Sequence, residues 1–112
     1  MVPRFPSSLA AVALVLLAAC RSQEVGLAAR DWDRFVSGFV ETYFQANPLF
    51  AVYQGRHEFD GRFPDWSDAG LLKWARRLHQ LRDSAAAFPI DSSDAKRGLE
   101  RDYLLSVIDG DL

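Results

Sequence analysis

SDAGLLKWARRLHQLRDSAAAF, Ser67 to Phe88, brings its apolar residues round at steps of three and four. Leu71, Trp74, Ala75, Leu78, Leu81, Ala85 and Phe88 fall on one side of a 3.6-residue period, and Arg76, Arg77, Gln80 and Asp83 fall on the other. Ser67 is a strong N-cap type and Asp68 puts negative charge in the first turn, at the positive end of the helix dipole. Trp66 before the cap can reach Leu71 after it as a hydrophobic staple, and Pro89 stops the helix near Phe88. The spacing therefore predicts an amphipathic helix whose apolar face other elements must cover.

Those elements read as helices too. Upstream, Trp32, Phe35, Val36, Phe39, Val40, Tyr43 and Phe44 repeat the same spacing over about four turns, behind Asp31 and Asp33 in the first turn. Asn47-Pro48 restarts the chain as an N-cap and first helical residue, and a short helix over Pro48 to Gln54 ends at Gly55 in the left-handed conformation. Arg56 to Trp66 predicts an ordered loop, with Phe59, Phe63 and Trp66 tucked against helix faces. Downstream, Asp91-Ser92-Ser93 caps a last helix with Ala95, Leu99, Tyr103, Leu104, Val107 and Ile108 inward and Gly110 at its end. Asp109 and Asp111 then lie at the negative end of that helix, an unfavourable place for them, so the expectation is a chain stopped mid-structure. The fold class expected is all-α, with three to four helices in a partial bundle.

Leu17-Ala18-Ala19-Cys20 closes an apolar run from Leu9 with the small-small-Cys pattern of a bacterial lipobox. Arg4 and two prolines precede that run, which is the layout of a secretory signal, and the run is shorter than the ~20 apolar residues that span a bilayer. The expectation is a signal peptide over residues 1–19, a lipidated Cys20, a tether to about residue 29 and a helical domain over 30–112, an incomplete part of a larger all-α domain. Two or more acyl chains on Cys20 would hold the protein on the cell envelope, because each buried CH₂ contributes about 0.8 kcal/mol. Membrane leaflet does not follow from these residues. Cys20 is the only cysteine, which leaves the fold no disulfide and no cysteine-ligated zinc.

Without residues 1–19 the chain has 93 residues, 12 basic and 15 acidic, with the signs interspersed. That pattern lacks the basic stripe of a nucleic-acid binder. One domain is the most that such a length supports.

His57-Glu58 with Asp60 is the densest set of ligand-type residues. A zinc-protease helix needs a second His four residues after the first, so that both grip one ion, and that position is Gly61. Three readings stand for this loop: His57, Glu58, Asp60 and the nearby Asp65 contact a substrate or another domain, or they bond the loop's own backbone and each other, or His57, Glu58 and Asp60 form a weak metal-binding loop. His79 reads as a boundary residue paired with Asp83. Lys73, Arg76, Arg77 and Arg82 read as a solvated face or as contacts to anionic headgroups. No catalytic residue, cofactor or metal is assigned.

The stretch Asn47 to Ser67, NPLFAVYQGRHEFDGRFPDWS, resembles the amino-terminal signature of the bacterial family called domain of unknown function 885. The order of parts is similar: lipoprotein signal, helix, Pro-centred turn into a short helix, a Gly-x-His-x-aromatic-Asp loop (Gly55, His57, Phe59, Asp60), then a Ser-capped helix rich in Arg and Leu. The likeness spans roughly residues 30–108. It implies an all-helical envelope protein of gluzincin-like zinc metallopeptidase type, much longer than this chain, whose His-Glu…His motif lies downstream of any residue present. Zinc would then belong to that downstream part, which would also be this chain's partner beside the membrane. The competing expectation is a complete small helical envelope lipoprotein acting as a binding or structural module.

Overall fold

The computed structural model describes residues 30–112. The expected signal peptide, the expected lipidation at Cys20 and the expected tether fall outside the described residues. Residues 30–46 form helix α1, Pro48–Tyr53 α2, Asp68–Ala86 α3 and Ala95–Asp111 α4, with one 3₁₀ turn at His57–Phe59 and no strand among the described residues. The protein is all-α.

The apolar stripes of α1, α3 and α4 meet in one core of Trp32, Phe39, Leu78, Leu81, Ala85, Leu104 and Ile108. Long-range bonds give the helix directions. Near the start of α1, the Trp32 indole donates to Glu100 Oε2 at 3.1 Å and Asp33 accepts from Arg97 at 2.6 Å, both early in α4. Near the other end, Tyr43 faces Asp111; burial and that carboxylate push its hydroxyl above the ordinary value of 10. α1 and α4 therefore run the same way. α3 runs against both, since Phe88 just beyond its end packs edge-on to Trp32 at 5.1 Å and Trp74 in its second turn meets Tyr43 at 6.0 Å. The result is an up-down-up bundle, with α2 and the 3₁₀ turn folded over the end of α1 through Phe44, Phe50 and Phe59.

Several local expectations are corrected. Asn47 makes no side-chain cap; its amide donates back to the Tyr43 carbonyl instead, while Pro48 does open α2. Helix α3 is capped by Ser67 as expected, but it ends at Ala86, because the backbone of Phe88 must leave the α region ahead of Pro89. The cap of α4 is Asp94, accepting from the Arg97 N–H at 3.1 Å. Asp91 is spent earlier, its carboxylate accepting from the backbone and hydroxyl of Ser93 in an Asx turn. Gly110 does not end α4, which runs on to Asp111.

The inward lists are corrected as well. Leu71, Leu99 and Tyr103 are 51%, 72% and 72% exposed, and Ala95 is exposed with them. The bundle has only three long helices, so a residue to one side of the centre of its stripe meets solvent. Phe63 and Trp66 stand out at 73% and 66% exposed, whereas Phe59 is buried as expected.

Candidate functional site

The loop after α2 begins with Gly55 at φ 87°, the left-handed turn expected there, and bends again at Gly61 with φ 75°. Between them Phe59 is the anchor. It is 4% exposed, packs edge-on to Phe44, and lies under the guanidinium groups of Arg56 and Arg62 at 5.5 and 5.2 Å. Arg56 is the strut of the loop: it grips Glu41 of α1 through both terminal nitrogens at 2.7 and 3.0 Å and Glu58 through Nε. These bonds hold the carboxyls of Glu41 and Glu58 below their ordinary range; for Glu58 its own backbone N–H is the larger cause.

The four residues singled out from sequence do not converge. His57 and Asp60 face each other at 3.4 Å, both exposed. Glu58 turns away to Arg56. Asp65 sits beyond Gly61 and accepts from the hydroxyl and backbone N–H of Ser67 at 2.7 and 3.1 Å, which lowers its pKa. Each carboxylate thus serves the loop or the helix cap that follows it. No group of three or more His, Cys, Asp or Glu able to hold a metal ion occurs among the described residues. His79 is exposed and forms no ion pair with Asp83 among the described residues.

A cleft of about 670 Å³ opens on the other side of Asp65, where α1, the loop and α3 meet. The end of α1 supplies the amides of Gln45 and Asn47. The loop supplies Pro64 and Trp66, and α3 supplies Leu71 and Trp74 as apolar floor and Lys73, Arg76, Arg77 and Gln80 as polar rim. Three cations face one carboxylate, and that carboxylate is already engaged by Ser67. Lys73 and Arg76 form no hydrogen bond or ion pair among the described residues, and Arg77 reaches only the Gln80 side-chain oxygen at 3.3 Å.

Gly70 shapes this corner. A Cβ there would run into the backbone and carboxylate of Asp65, so the loop lies directly on the first turn of α3. Every cation of the cleft was legible in the sequence, and Trp74 packs against the core as expected while also lining the cleft; Trp66 was expected as a staple. The available signal was a basic run at 73, 76 and 77 flanking an aromatic at 74, eight residues beyond a second aromatic at 66. No protein-family model, curated protein or solved structure matches this chain.

Proposed function

We propose that this chain is the lipid-anchored, amino-terminal helical portion of an envelope protein of the domain of unknown function 885 type, holding Cys20 at the membrane and packing against a metallopeptidase-like part. It carries no catalysis of its own in this reading. The observation behind it is the uncovered apolar surface: Tyr53 on α2, Phe63 and Trp66 on the loop, and Leu99 and Tyr103 on α4 are between 66% and 85% exposed. Single exposed leucines are ordinary on a protein surface, but this many large aromatics and leucines in so small a domain suit a face that another part covers.

A second reading, a self-contained helical envelope module, is favoured by the Trp32–Glu100 and Asp33–Arg97 bonds, which tie the first long helix to the last. Two measurements address the proposal. Metabolic labelling with a palmitate analogue in a bacterial host should mark the chain and should fail on Cys20→Ser; label on the variant would remove the anchor from the account. The lipidated chain should bind a hydrophobic dye strongly, and a monomer that binds none would favour the self-contained module.

A further inference from the structure

We infer that the cleft between α1, the loop and α3 binds a short acidic peptide segment, with its carboxylates on Lys73, Arg76 and Arg77 and an adjacent apolar side chain against Trp66 and Trp74. This goes beyond the anchored-portion reading and stands on the cleft alone, whatever the rest of the protein does.

The size, about 670 Å³, lies in the range of small-ligand sites. Charge selects an anion. Arg76 and Arg77 are adjacent, and guanidinium groups present planar forks that match carboxylates, while Lys73 adds a point charge one turn earlier. Asp65 keeps its negative charge, but the three cations outnumber it and the cleft stays net positive. The apolar floor selects a ligand with more than charge, since Trp66 and Leu71 are exposed at 66% and 51% and gain from being covered.

The amides choose between a peptide and an acyl carboxylate. Gln45 forms no hydrogen bond among the described residues, Asn47 donates to Tyr43 and keeps its oxygen free, and Gln80 accepts from Arg77 and keeps its nitrogen free. Free donors and acceptors on the walls suit the N–H and C=O groups of a backbone. Along an acyl tail they would lose hydration and gain nothing. Clusters of basic residues that read acidic motifs work in this way.

The test is a titration of the intrinsic tryptophan fluorescence of the full chain in nonionic detergent with three probes: acetyl-Glu-Asp-Leu-Phe-amide, its neutral counterpart acetyl-Gln-Asn-Leu-Phe-amide, and decanoate. The acidic peptide should give a saturable change that Trp66→Phe reduces. The neutral peptide should bind at least about tenfold more weakly, as should the acidic peptide to the Arg76→Gln/Arg77→Gln double variant, from the loss of charge-assisted bonds. Arg34→Gln, whose guanidinium pairs with Asp31 away from the cleft, should bind like the parent. Equal affinity for the two peptides, or no saturation by the acidic one up to about 1 mM, overturns the inference. Tighter binding of decanoate overturns it too, in favour of an acyl carboxylate. The comparison of the two peptides uses the unaltered chain, so it stands even if the double variant loses helicity.

Discussion

Trp32 carries more of the fold than any other single residue. It is 1% exposed, contacts Phe35 and Phe88 through its ring, and uses its one N–H on Glu100. Trp32→Ala leaves a large cavity, while Glu100 keeps Lys96 and Arg97 as partners, so the cost is that of the lost ring, about 3–5 kcal/mol. Against the about 5–15 kcal/mol of a whole domain, that should lower the urea midpoint, followed by circular dichroism, by a large fraction of its value. Two glycines test the geometry with opposite signs. Gly98 lies in α4 with nothing near a new Cβ, so Gly98→Ala should stabilise by about 0.5–1 kcal/mol through helix propensity. Gly70→Ala gains the same propensity in α3 but drives into Asp65, and overpacking of about 1–3 kcal/mol should outweigh it. Denaturation midpoints should therefore rise for the first and fall for the second. Nothing in the sequence separates these two glycines, because each sits inside a helical pattern and only the path of the loop puts Asp65 against one of them.

Among the elements, the three long helices were legible from their spacing, and so were Ser67 as a cap, Pro48 as an opener and Gly55 as a left-handed stop. The start of α4 was not, since Asp91-Ser92-Ser93-Asp94 offers four residues able to cap and the choice depends on which of them the preceding turn uses. The loop was legible as ordered but not in its partners: Arg56 finds Glu41 fifteen residues away, a pairing that no local spacing encodes. The candidate residues failed to converge because each bonds to a near neighbour instead, His57 with Asp60, Glu58 with Arg56 and Asp65 with Ser67. Asp109, expected to strain the end of α4, is offset by Arg82 at 2.6 Å.

These pairings give the elements a pH dependence with a definite sign. Asp33, Glu41, Glu58 and Asp65 are all held below their ordinary values of 3.8 and 4.5, so the unfolded chain takes up protons first as pH falls. Their stabilisation is whole above those ordinary values and is lost as the pH drops through the lower folded ones. The thermal midpoint by circular dichroism should be nearly the same at about pH 7 and pH 6 and clearly lower at about pH 3. Each contribution is small, because all four groups are open to solvent.

At the scale of the whole molecule, a small core coexists with an outer surface rich in aromatics. Leu99 and Tyr103, one turn apart on α4, are both 72% exposed, so Leu99→Lys/Tyr103→Lys should leave the urea midpoint within about 0.5 kcal/mol of the parent while lowering dye binding. A fall in stability of about 2 kcal/mol or more would mean that these residues serve the bundle itself. No helix among the described residues is long and apolar enough to cross a membrane.

The central claim, that this bundle is the anchor-proximal portion of a longer metallopeptidase-like protein, is tested most directly by reading the source DNA past the codon for Leu112. The expected result is an open frame of several hundred further codons containing a His-Glu motif with a second His shortly after it. An immediate stop, with no such motif in any frame, would contradict it and leave a small helical lipoprotein.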